Sequence, residues 1–381
     1  MLMENRIRVL HVIGKRPKGG IGTFLENVTK YIDNDKFQFD FLINGDDIPG
    51  EFDKKMYNLG SKVYILPELS YRTSYKYLKA LNEFYKNNNQ YHIIHIHSPN
   101  IAVFNYFFSR LYTSTKIATH SHSTKFSDKT LNSIRNFFLH APIKVITDIK
   151  FACNYASSEF MYGKEATING DVNIAKNGIE VERYSFNRKI RDDKRSELHL
   201  GESLVLGHVG AFVPVKNHEY LVEIFSEIHK IEPTAVLILV GDGELVDTIM
   251  KKVSILEIND SVRFLGRRQD VNQIMQALDL FILPSKFEGM PLVGIEAQAA
   301  GLPCFFSSSV SKEIAITEDV NFLDINEAPI KWANTIIEYT RLNLRNKNRE
   351  LSSQMIIDNG YDISETVKEI ESVYLKYIRV K

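Results

Sequence analysis

Composition alone ties this chain to no particular compartment or polymer. Among 381 residues there are two cysteines, Cys153 and Cys304, each beside an apolar run. Two thiols in separate regions cannot build a disulfide framework, which suits a reducing compartment. Lysine plus arginine and aspartate plus glutamate both number 47. No net field therefore draws the chain to nucleic acid, and no nucleic-acid partner is expected. No apolar run nears the ~18 residues of a membrane span. The opening MLMENRIRVLHVIG lacks the apolar core and cleavage site of a secretory leader, so a cytoplasmic protein is expected. Neither glycine-rich loop, 14–22 or 241–243, carries the dinucleotide fingerprint, and the first does not end in Gly-Lys-Ser/Thr. That argues against a nicotinamide dehydrogenase and a P-loop enzyme. No Asp-x-Asp stands at a predicted strand end, so the usual carboxylate grip on a metal–diphosphate is missing.

What is present is the pattern of an α/β protein. Short apolar runs alternate with helical periodicity from residue 7 onward, which predicts mostly parallel sheets covered on both faces. The length exceeds what one core usually holds, so two domains are expected. Residues 181–202 are polar and charge-mixed and read as a hinge. The boundary then falls between an N-terminal domain, 1–185, and a C-terminal domain, 186–362. Two Rossmann-like halves would face a central cleft, a common place for a ligand.

The stretch FILPSKFEGMPLVGIEAQAAG, 281–301, concentrates the chemistry. A buried strand should end near Pro284, and a helix should open at Pro291 and close at Gly301. Glu288 then lies in the loop at the strand's carboxyl end, and Glu296 about one turn into the helix. The amides of Leu292 and Val293 sit between them at a helix start, where anions are favoured. A glutamate pair at this spacing is ordinary surface in most chains. Here the strand-loop-helix setting places it where open α/β sheets bind ligands. Carboxylates around an anion site fit a ligand with both hydroxyls and phosphates. In the first half, His97 and His120 stand at predicted strand ends. No cysteine or acid lies at a ligand spacing from them, which argues against zinc.

These motifs resemble those of the retaining, nucleotide-sugar-dependent glycosyltransferases of family 4, with the GT-B fold. The resemblance covers almost the whole chain. Its most specific part is the E-x7-E pair, Glu288 and Glu296, within LPSKFEGMPLVGIEAQAAGLP. Further matches are Gly19-Gly20, ACNYASSEFMYG, KNGIEVERYSF, LGHVGAFVPVKNHEYL, LVGDGE and FLGRRQDV. The chain is most similar to bacterial exopolysaccharide and capsule enzymes.

The resemblance implies roles. Glu296 would hold the ribose hydroxyls, and Glu288 would face the donor sugar or its phosphate. Gly289 and the amides of Met290, Leu292 and Val293 would contact sugar and diphosphate, and Lys216 would neutralise the diphosphate. Gly19 and Gly20 would let the N-terminal domain close on that group. Arg267 would lie beside the base. His120 would reach the donor sugar near the reacting carbon. The helix 363–381 would pack back on the N-terminal domain. The implied reaction moves a hexosyl or N-acetylhexosaminyl group from a nucleotide sugar, a UDP-sugar by expectation. The acceptor would be a saccharide or a polyprenyl-diphosphate-linked sugar, and neither cofactor nor metal would be required.

Ala211 departs from the family, which usually has arginine there. Lys216 would then act on the diphosphate alone or share it with Lys15, Arg16 or Lys18. The same departure leaves a catalytically silent binding subunit as the non-enzyme reading, and a nucleotide-sugar epimerase shares the fold. Residues 101–165 hold eight Lys/Arg against four Asp/Glu, with Phe104, Phe107, Phe108, Phe126, Phe137 and Phe138 among them. Such a surface suits peripheral contact with the inner face of an anionic membrane, or simply helix cores with solvated lysines.

Overall fold

The computed structural model describes residues 6–17, 19–46, 48–122, 139–343 and 349–379. Contacts divide the chain into two units, Met1–Gly178 with Ile363–Lys381, and Ile179–Asp362. The expected boundary after residue 185 lies a few residues beyond this division.

The first unit holds β1 (Ile7–Ile13), β2 (Phe37–Asn44), β3 (Val63–Leu66), β4 (Ile93–Ile96), β5 (Lys116–Ser121), β6 (Ile149–Ala152) and β7 (Asn173–Ile174). They pair in parallel in the order β3-β2-β1-β4-β5-β6-β7. Side chains alternate between two buried faces, which is why these strands read as continuous apolar runs. Val9, Phe41, Ile93 and Phe151 fill one face, and Leu10, Leu42, Ile94 and Ile117 the other. The helix Ile363–Arg379 covers the first of these faces. Its Ile363, Val367, Ile370 and Tyr374 recur at helical spacing and are at most 2% exposed.

The second unit holds β8 (Val205–Val209), β9 (Val236–Val240), β10 (Val262–Phe264), β11 (Leu280–Leu283), β12 (Cys304–Ser307) and β13 (Val320–Leu323). Their order is β10-β9-β8-β11-β12-β13, again with parallel pairs. The order reverses between β8 and β11. Beyond the carboxyl ends of such neighbours the following loops diverge and leave a crevice.

The expected hinge is not a linker. Its residues form the helices Val181–Tyr184 and Arg188–Glu197. Two arginines of the second helix are spent on backbone and buried partners rather than on water. Arg195 donates to the carbonyls of Gly201, Ser203 and Ala277. Arg191 donates to Gln276 and Leu278 and pairs with Asp279. A helix anchored through guanidinium groups carries no apolar stripe, so its periodicity is silent in the sequence.

Both cysteines are buried, and neither is in a disulfide. No described helix is long and apolar enough to cross a membrane. Of the aromatic set between 101 and 165, Phe104 and Phe108 pack on a core cluster, while Phe107 is exposed. Phe126, Phe137, Phe138 and Lys18 lie outside the described residues.

Candidate functional site

The second unit assembles its site where β8 and β11 run side by side. The segment after β8 is tied down first. Gly210 donates to Val240 and Phe212 to Asp242. At Gly241, φ is +143°, and a Cβ there would lie 2.0 Å from the Gly210 carbonyl oxygen. Only glycine permits this approach. A short turn, Pro214–Lys216, follows, and Asn217 then enters the left-handed region at φ 58°. Asn217 Nδ2 donates to Pro284, and the Lys286 amide donates to Val215. These two bonds lock the loop after β8 to the loop after β11.

The lock brings Lys216 Nζ to 2.6 Å from Glu288 Oε1, with side chains 17% and 18% exposed. Partial burial makes this attraction stronger than that of a surface ion pair. The Glu288 carbonyl also accepts from the Ser311 amide. The helix Leu292–Ala299 opens four residues later. Pro291 is its N-cap, no side chain caps it, and no acidic residue stands in its first turn. Its positive end is therefore unanswered by the protein's own side chains. Met290, Leu292 and Val293 send their side chains into the core, which leaves their backbone as what this turn offers a ligand. A Cβ at Gly289 would touch nothing within 4 Å, so that stretch is open.

Glu296 lies one turn further on. Burial pushes its carboxyl up to about 7, against a hydrogen bond from Tyr184 and the nearby Arg183 cation, which both pull it down. Tyr184 ends the short helix Val181–Tyr184, and Gln276 Nε2 donates to its carbonyl. Arg267 is exposed in the loop after β10, next to Gly266. Ala211 is exposed too. Thus Lys216 and Glu288 are in contact, and Gly289, Met290, Leu292, Val293 and Glu296 follow on one loop and helix. Sequence reasoning missed Tyr184 as a partner, although it lies within the KNGIEVERYSF motif.

In the first unit, Gly19 and Gly20 are exposed at the start of the helix Gly20–Tyr31. The neighbouring cations are already committed. Arg16 binds Asp46 at 2.6 Å and Asp53 at 2.7 Å, and Lys15 pairs with Glu68. They are not spare charges for a diphosphate.

His120 requires a correction. It is 0% exposed, with its ring 5.4 Å from that of Phe24 and 5.6 Å from that of Phe151. Strand alternation turns it onto the helix-covered face, so in this structure the ring is not offered to a sugar. His122, just past the end of β5, is the half-buried one.

The same alternation gathers five histidines. His11 is in register with His95 across β1 and β4, and Ile96 with Thr119 across β4 and β5. His11, His95, His97, His120 and His122 therefore share one face. His11 Nδ1 and His97 Nε2 are 2.9 Å apart, as are His97 Nδ1 and His122 Nε2, and His95 Nδ1 meets the Tyr374 hydroxyl. The partners lie across strands rather than along the chain, which is why spacing concealed them.

Residues 189–356 match the family described as Glycosyl transferases group 1. The putative glycosyltransferase EpsF of Bacillus subtilis (strain 168) is 27% identical over 96% of each chain. The UDP-Gal:alpha-D-GlcNAc-diphosphoundecaprenol alpha-1,3-galactosyltransferase of Escherichia coli is 26% identical over 83% of this chain and 84% of its own. Anabaena Alr3699/HepE, solved in complex with UDP and glucose, superposes with a TM-score of 0.78 at 18% identity, over 97% of this chain and 99% of that one. The chain thus has the two-domain, Rossmann-like GT-B fold, and residues 189–356 of its second unit are similar to the group 1 glycosyl transferases.

Proposed function

We propose that the protein is a retaining glycosyltransferase of surface-polysaccharide synthesis. It moves a sugar from a UDP-sugar to a saccharide or polyprenyl-diphosphate-linked acceptor. The observation that carries this reading is the Lys216–Glu288 pair, set beside an uncapped helix start at the sheet reversal.

The chemistry follows from charge. As the bond from the sugar's anomeric carbon to the diphosphate oxygen breaks, negative charge grows on the leaving diphosphate. Lys216 and the amides at the start of the helix Leu292–Ala299 stabilise that charge without a metal. Glu288 orients Lys216 and accepts from sugar hydroxyls. Glu296 accepts from the ribose hydroxyls. The acceptor hydroxyl attacks from the face the diphosphate leaves, so the configuration is retained.

The named relatives support the donor and acceptor classes, because one takes UDP-Gal and a diphosphoundecaprenol-linked sugar and another was solved with UDP. Purified protein incubated with radiolabelled UDP-sugars, a polyprenyl-diphosphate-linked sugar and EDTA tests the reading. Transfer to the lipid in wild type, with at least ~100-fold loss in Glu288→Ala, is expected. Exposed Ala211 favours one second reading, a subunit that binds but does not turn over. UDP binding with no transfer to any acceptor selects it.

A further inference from the structure

Five nitrogens of the histidine cluster are buried without a hydrogen-bond partner among the described residues. They are His11 Nε2, His95 Nε2, both nitrogens of His120, and His122 Nδ1. A buried polar atom left unpaired is costly, and a group of them in one place calls for a ligand that satisfies them. Two overlapping sets have ligand atoms within 4.8 Å of one another: His11, His95 and His97, and His97, His120 and His122. The first set is wholly buried. The second reaches solvent through half-buried His122, so an ion has a way in.

The geometry points to a transition-metal site formed by His97, His120 and His122 at the carboxyl edge of the first sheet, of the kind that takes Zn²⁺. Three imidazoles suit zinc, and the absence of oxygen ligands in the set excludes the hard cations Mg²⁺ and Ca²⁺. His97 Nδ1 and His122 Nε2 stand 2.9 Å apart. Nitrogens on a tetrahedral zinc lie about 3.3 Å apart, so small ring rotations suffice. His120 has both nitrogens free to turn toward the ion. The second shell is in place: His97 Nε2 faces His11 Nδ1 at 2.9 Å. A proton on His97 Nε2 donated to His11 leaves the Nδ1 lone pair for the metal. Three protein ligands leave a fourth position for water or an anion.

The site is built from residues other than those assigned to the nucleotide, and it does not depend on that assignment. The test uses the full chain freed of any affinity tag, stripped with chelator and titrated with Co²⁺. Expected are the visible bands of four-coordinate cobalt saturating at about one equivalent per chain, and their displacement by Zn²⁺. His120→Ala should abolish stoichiometric uptake. His122→Gln, at the half-buried position, is the variant that keeps the core intact, and it should do the same with unchanged circular dichroism. His11→Phe should weaken binding by about 10–100-fold. A hydrogen-bonded ladder bridged only by water predicts no cobalt spectrum. That result, or wild-type uptake in both His120→Ala and His122→Gln, overturns the proposal.

Discussion

The proposed ribose contact of Glu296 makes nucleoside binding depend on pH. Its carboxyl is raised to about 7 by burial. The Tyr184 hydroxyl that bonds to it is itself pushed far up by burial and stays neutral, and Arg183 brings a permanent cation. In the proposed contact the carboxylate accepts from both ribose hydroxyls, and protonation turns one of its oxygens into a donor and removes the charge. Affinity is therefore full above about pH 7 and is lost as pH falls through it. Between about pH 8 and pH 6 the ionised fraction drops about tenfold, which corresponds to about 1.4 kcal/mol.

Stability runs the other way. The folded value lies above the ordinary 4.5, so the folded state holds more protons than the unfolded one between about 4.5 and 7. Stability falls as pH rises across that window. Glu296→Gln imitates the protonated carboxyl. It should bind weakly at every pH and gain about 1–3 kcal/mol of stability at about pH 8. Calorimetric titration with uridine is the suitable assay, because a phosphate ionises near pH 6 and would confuse the slope. A flat wild-type uridine affinity across this range, or a glutamine variant with an unchanged slope, would refute the assignment of the ribose to Glu296.

Tyr184→Phe removes the bond that favours the carboxylate, so the loss of uridine affinity should begin at a higher pH than in wild type. Lys216→Ala should weaken UDP more than UMP, since the proposed site sets the removed charge against the second phosphate. A charged hydrogen bond there is worth about 1.5–3 kcal/mol, and equal losses in isothermal titration would displace Lys216 from the diphosphate. Asp279→Ala should cost about 3–5 kcal/mol in urea unfolding, because Asp279 pairs with Arg191 and Arg195 and accepts from the Val205 amide. A change under about 1 kcal/mol, the value of a surface pair, would show that the backbone carbonyls alone hold those guanidinium groups. Ala211→Arg should fold normally, since Ala211 is exposed, and should raise turnover. A fall in turnover with intact UDP binding would place another cation at that position.

Residues 281–301 were nearly transparent to sequence reasoning because each signal there is local. Leu280–Leu283 is a strand, Pro291 precedes the helix, and Gly301 follows it at φ 68°. The described strands were also legible as apolar runs. What stayed hidden depends on pairing across the chain. The helix Arg188–Glu197 is polar because its guanidinium groups reach carbonyls more than eighty residues away in sequence. The burial of His120 follows from which face of β5 the helices cover, and alternation alone does not say which. The histidine cluster needs the register of three strands. The Tyr184–Glu296 contact joins residues over a hundred apart, and no spacing rule relates them.

The helix Ile363–Arg379 has a consequence for how the protein is made. The sheet of the first unit is finished by residue 174, yet one of its faces is covered by Ile363, Val367, Ile370 and Tyr374. A ribosome adding about 5–20 residues per second needs roughly ten to forty seconds to pass through the second unit before that helix exists. Throughout that interval Val9, Phe41, Ile93 and Phe151 lack the part of their cover that this helix supplies, while the second unit, one continuous segment, can fold as it emerges. The order of folding is then the reverse of the order of synthesis, and the nascent first half is the part of the chain for which a chaperone must wait.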